Sequence, residues 1–153
     1  MITVQFKILP TPYQESFLIL SSIEYIRCVN MLTANIIESE QPLKLSSASF
    51  HAKLPSTIKN EVVNTAKSVV KKYKSGACRS LPVLKKPVIT WNNQNFKLVN
   101  NSLSFPLWID GKSKRISVNC ALTDYQINRL NTKLGSLWSR SQKTGPGKNK
   151  NLI

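Results

Sequence analysis

Seven carboxylates are spread through the chain: Glu15, Glu24, Glu38, Glu40, Glu61, Asp110 and Asp124. Phosphodiester chemistry commonly gathers such groups around Mg²⁺, and no spacing here suggests a trio. Asp110 is accounted for by an Asp-Gly turn, and Asp124 by a helix N-terminus, where negative charge complements the dipole. His51 is the single imidazole, and a lone histidine is more often a surface or core residue than a general base. Cys28, Cys78 and Cys120 are odd in number and far apart, which builds neither a disulfide framework nor a zinc ribbon. They read as small buried hydrophobes in a reducing compartment. There is no phosphate-cradling glycine loop, no serine nucleophile elbow and no zinc-protease histidine pair. The expectation is a chain with no catalytic residue, no metal site and no cofactor of its own.

Cations dominate instead. Lys and Arg number 22 against 7 Asp plus Glu, a formal charge of +15 on 153 residues. Such a field attracts phosphate backbones before any specific contact forms, and self-repulsion on this scale destabilises a compact domain unless a polyanion offsets it. One segment concentrates the charge. Lys59, Asn60, Asn64, Lys67, Lys71, Lys72 and Lys74 fall on the wet side of a helix over Ser56–Lys74, with Glu61 alone among them. Lysines serve phosphates, and Asn amides read base edges as well. The competing reading is a merely solvated face. Arg27 and Asn30, three apart on an earlier helix, share a face, and Arg27 is either a solvated charge or a backbone contact to nucleic acid.

Elements must position these groups. Ile2, Val4, Phe6 and Ile8 alternate with Thr3, Gln5 and Lys7, the pattern of a strand with one wet face, which Leu9-Pro10 ends. Thr11-Pro12-Tyr13-Gln14 carries a capping box with Pro in the first turn, opening a helix of about 25 residues. Its apolar face is expected to comprise Phe17, Leu20, Ile23, Tyr25, Ile26, Val29 and Leu32. After the polar stretch Glu38–Pro42, a short helix is expected near Ser46. The helix over Ser56–Lys74 should bury Ile58, Val62, Ala66, Val69 and Tyr73, and Gly76 should stop it.

From Pro82 the pattern changes to short strands: Pro87–Trp91, Phe96–Val99, Ser102–Ile109 and Lys112–Cys120. Asn92–Asn95 and Asn100-Asn101 supply turn residues, and Asp110-Gly111 is the best two-residue hairpin signal in the chain. Thr123 and Gln126 repeat the capping box for a short helix to Lys133, before Gly135. Beyond Trp138 periodicity ends in a Gly-, Ser-, Asn- and Lys-rich segment without an acid, read as a disordered basic tail. No run approaches the roughly 20 apolar residues of a membrane span, and Met1–Gln5 lacks a signal-peptide start. A cytoplasmic protein without a membrane or small-molecule partner is expected.

The order of these pieces carries a resemblance. A strand ending Leu9-Pro10-Thr11-Pro12, then Tyr13-Gln14 opening a long helix that holds Arg27-Cys28-Val29-Asn30, resembles the N-terminal signature of the TnpB (OrfB) insertion-sequence proteins. These are commonly described as transposases and are related to type V CRISPR effectors. The basic helix Ser56–Lys74 stands where that family has its recognition-lobe helices. Trp91–Asn95 followed by Leu103-Ser104-Phe105-Pro106 resembles its Asn-rich strand and the next. The resemblance runs from Met1 to Leu137.

What it implies is an α+β fold: a small antiparallel β-barrel, the split wedge domain, with a helical recognition lobe inserted after its first strand. The divisions are then 1–10 for that strand, 11–80 for the lobe, 81–137 for the β-rich remainder and 138–153 for the tail. Guide RNA and double-stranded DNA are the implied partners. Lys59, Asn60, Asn92 and Asn93 are the residues expected to meet a target-adjacent DNA motif, although turn geometry alone also accounts for Asn92 and Asn93. Arg27, Lys67, Lys71, Lys72 and Lys74 would serve nucleic-acid backbone. Family members continue into a Mg²⁺-dependent RuvC nuclease domain, which the resemblance does not reach, so a truncated or frameshifted relic that binds without cutting is expected. A basic structural or ribosome-associated RNA-binding protein is the competing reading.

Overall fold

The computed structural model describes residues 4–39, 44–91 and 95–130. Strand β1 is short, Lys7–Leu9, but alternation extends back to Val4: Val4, Phe6 and Ile8 are half-buried while Gln5, Lys7 and Leu9 are exposed. Helix α1 follows over Pro12–Glu38 with the expected box, the Thr11 hydroxyl accepting from the Gln14 N–H at 3.3 Å and Gln14 Oε1 accepting from the Thr11 N–H at 3.1 Å. Gln14 Nε2 also donates to the Ser117 carbonyl at 2.8 Å, so the capping side chain ties the helix start to the sheet.

Helix α2 spans Ser56–Lys74, the bounds its periodicity predicts. A Schellman motif closes it. Gly76, at φ +76°, lets its N–H reach the Tyr73 carbonyl and the Ala77 N–H reach that of Lys72. Strands β2 (Lys97–Val99), β3 (Ser102–Ile109) and β4 (Lys112–Ala121) form a meander through two-residue turns. Asn100 and Asn101, at φ 48° and 60°, make the first turn, and Asp110 and Gly111, at φ 50° and 77°, the second. Positive φ at both central residues is what a type I′ hairpin demands. A third helix, α3, begins at Asp124 and continues through residue 130, opened by the Thr123–Gln126 box.

The sheet order is β1-β4-β3-β2, antiparallel throughout, with α1 and α2 inserted between β1 and β2. The architecture is therefore α+β, but the sheet is open: β1 and β2 lie on opposite edges, and the expected barrel does not close. Four strands, two of them three residues long, cannot curl far enough to bring their edges together.

Other expectations are corrected by packing. No strand forms over Pro87–Trp91. Instead this stretch lies against the helices, with Ile89 and Trp91 on the core that α1 and α2 share. Near Ser46 there is a turn rather than a helix. The Ser46 N–H donates to Ser49 Oγ at 2.8 Å and Ser46 Oγ accepts from the Ala48 N–H at 3.3 Å, so hydroxyls take the bonds a helix would use. On α2 the buried stripe is Ile58, Val62, Val63, Ala66 and Val70, whereas Val69 and Tyr73 are half-exposed. On α1, Leu20 and Ile23 are 59% exposed each, because the helix rests on the sheet through Phe17 and Leu18 and on α2 through Tyr25, Cys28, Val29 and Leu32.

Two cores result. Tyr25, Val29, Leu54, Ile58 and Val62 centre the helical one, and Phe105, Leu107, Ile109 and Val118 the one under the sheet. Trp91 packs against both, its ring 4.7 Å from that of Phe105. Its Nε1–H donates to the Pro106 carbonyl at 3.4 Å. Pro106 sits past the end of β2, whose pairing stops at Ser104, so the missing N–H costs no ladder bond on that side. α1 is also long and apolar enough, by length and composition, to cross a membrane, although its apolar runs are short and broken by polar residues and its Tyr25, Cys28 and Val29 are buried within the fold.

Candidate nucleic-acid interface

α2 turns its apolar stripe toward α1 and thereby turns its lysines outward. Tyr25, 1% exposed, anchors the pair, with its hydroxyl 2.9 Å from Thr65 Oγ1. Burial raises the Tyr25 phenol above its ordinary value, so it stays a neutral hydrogen-bonding partner. With that face fixed, Asn60, Asn64, Lys67, Lys71, Lys72 and Lys74 are all exposed. Lys67, Lys71, Lys72 and Lys74 enter no ion pair among the described residues. Lys71, Lys72 and Lys74 stand in the last turn, where cations also complement the helix dipole.

Lys59 differs. It is half-buried, with its ammonium 5.9 Å from the centre of the Phe50 ring, a cation–π contact that holds it at the start of the same face. Asn60 beside it is exposed, while Asn92 and Asn93 lie outside the described residues.

Arg27 is committed elsewhere. Its Nε donates to Glu24 Oε2 and its Nη2 to Glu24 Oε1, both at 2.8 Å, a fork-to-carboxylate pair one turn apart. Glu24 Oε1 also accepts the Lys53 N–H at 3.1 Å. The Arg27 bond holds the Glu24 carboxyl below its ordinary value despite partial burial, and the Lys53 N–H adds to the effect. A phosphate approaching Arg27 must therefore compete with a carboxylate already in place. The carboxylate in turn keeps the segment before α2 against α1.

Asn30 is a structural residue: its side chain bonds the Leu84 backbone, with Nδ2 donating to the carbonyl at 3.1 Å and Oδ1 accepting from the N–H at 2.8 Å. Cys28 is fully buried, and burial, reinforced by the Glu24 charge, pushes its thiol up to about 11. Cys120 is buried and its thiol is also raised. Among the described residues no group of three or more His, Cys, Asp or Glu side chains gathers that could hold a metal.

Sequence reasoning missed a second cationic surface, on the side of the sheet away from α1. By alternation with buried Phe105, Leu107 and Ile109, that side carries Ser104, Pro106 and Trp108 of β3. The register set by the Asp110-Gly111 turn places Ser117, Arg115 and Ser113 of β4 opposite them. The signal was present in the strand pattern, once the turn fixed which residues pair. Comparison of the chain with protein-family models, with curated proteins and with solved structures returns no match in any of the three.

Proposed function

We propose that this chain is a nucleic-acid-binding module of the TnpB-like kind, which holds guide RNA and target-adjacent duplex DNA and does not itself cut. The lysine face of α2 carries the reading: four exposed lysines with no ion pair among the described residues, of which Lys67, Lys71 and Lys74 step by four and three along one side of a helix whose opposite side is buried in the α1 core. Rigid presentation matters, because a phosphate backbone is engaged as a row of charges and not singly. Lys59 and Asn60 begin that row and are the residues proposed to meet the duplex edge, and Asn92 and Asn93 are proposed for the same role. Lys67, Lys71, Lys72 and Lys74 continue it along the backbone.

Support for the family reading rests on the order of elements: a first strand, a long capped helix with Arg27-Cys28-Val29-Asn30, a basic helix, then a meander joined back to the first strand through β4. Sequencing the RNA that copurifies with the full chain tests it. A defined transcript from a transposon end is the expected result. Ribosomal RNA in bulk would overturn the family reading in favour of a ribosome-associated protein and leave only the general affinity.

A further inference from the structure

The outer face of the sheet is unlike the lysine helix in chemistry. Its rows run Val99, Ser102, Asn119 and Leu9 across all four strands, then Lys97, Ser104 and Ser117, then Pro106 and Arg115, then Trp108 and Ser113. Lys7 opposes Ala121 at the far end. Every one of these residues on β1, β2 and β4 is exposed, and those on the central β3 are partly so. The face holds three cations, Lys7, Lys97 and Arg115, and no acid. Asp110, at the hairpin tip, is taken by Lys114 at 2.8 Å, and Lys114 belongs to the other row of β4. Trp108 belongs to neither core, while its neighbours Leu107 and Ile109 are buried.

We propose that this face binds single-stranded RNA, with a base stacked on Trp108 beside Pro106, the backbone following Arg115, Lys97 and Lys7, and the ribose hydroxyls met by the serines. The charge is complementary to a polyanion. An aromatic ring one row from Arg115, on a sheet face with further cations beyond it, is an arrangement that holds unpaired bases, since every base offers a π-face. The serines Ser102, Ser104, Ser113 and Ser117 on this face, with Asn119, point to RNA over DNA, because a 2′-hydroxyl both donates and accepts. A duplex cannot use Trp108, as its bases are already stacked. The surface therefore differs in kind from α2, and it deepens the nucleic-acid reading on which it rests.

The test compares the full chain with the variants Trp108→Ala, Trp108→Phe and Lys67→Gln/Lys71→Gln/Lys72→Gln, using end-labelled oligouridylate, oligodeoxythymidylate and a mixed-sequence DNA duplex as probes in fluorescence anisotropy. Circular dichroism melting confirms that each variant folds. Trp108→Ala is expected to weaken oligouridylate binding by about 10-fold or more, the loss of one stacked base, and to leave duplex affinity unchanged. Trp108→Phe should restore most of the binding. Unchanged oligouridylate affinity in folded Trp108→Ala overturns the proposal while duplex binding that fails in the lysine variant leaves the α2 reading standing. Equal affinity for oligodeoxythymidylate overturns the assignment to RNA. Failure of the wild-type chain to bind any of the three probes removes both readings.

Discussion

The Asn30 carboxamide pairs with the backbone of Leu84 on both of its polar edges, much as a neighbouring strand would. The two residues are 54 positions apart, and the contact fixes the path of the chain between α2 and the sheet onto α1. It also explains why Asn, and no other residue of its size, suits the position: one donor and one acceptor are needed side by side.

Replacing Asn30 by Ala should therefore lower stability by about 1–3 kcal/mol, the cost of leaving partly buried polar backbone without partners. Asn30→Asp should be at least as damaging, since a carboxylate oxygen then faces the Leu84 carbonyl. Urea unfolding followed by far-ultraviolet circular dichroism checks both. Nucleic-acid binding at low denaturant should be retained, as Asn30 lies away from the lysine face.

Glu24 gives the fold a pH dependence. Its carboxyl is held below the ordinary value of 4.5, chiefly by the Arg27 bond. A depressed folded value means that the unfolded chain takes up the proton first, so stability is fully present above 4.5 and falls as pH drops through the lower folded value. The contribution should be about 1 kcal/mol, because the Arg27 side chain is 52% exposed and the pair is partly screened. Thermal melts from neutral to acid pH should show Glu24→Gln less stable than the parent above that value, with the difference closing in acid.

Local chemistry was what the sequence displayed clearly. Both capping boxes, the Asp110-Gly111 and Asn100-Asn101 turns, and the bounds of α2 depend on residues within a few positions of one another, and all form as read. What depended on distant partners was not legible. Val70 displaces Val69 from the core because α1 approaches α2 from a direction that the spacing of one helix does not encode. Leu20 and Ile23 match the apolar period of α1, yet they fall between the helix's two supports. Pro87–Trp91 has strand composition, but Trp91 has more to bury between two cores than in a ladder. The lysine face was visible because charge patterns repeat along one helix. Recognising Trp108 and Arg115 as neighbours required the pairing register of two strands.

Thiol reactivity should follow burial. Cys28 and Cys120 are buried and their thiols are raised, so both stay protonated at neutral pH and are shielded from attack. Cys78, half-exposed after the end of α2, has no such cover. Labelling with a maleimide followed by peptide mass spectrometry should modify Cys78 first, and the other two only when the protein is unfolded by denaturant.

The salt dependence of binding to a mixed-sequence DNA duplex tests the α2 interface most directly. If Lys67, Lys71, Lys72 and Lys74 each meet a phosphate, the quadruple Gln variant should lose affinity, and the slope of log K against log salt should become shallower by about 3–4, at roughly 0.9 per contact removed. A folded variant with the slope and affinity of the parent chain would contradict the assignment of nucleic acid to this face.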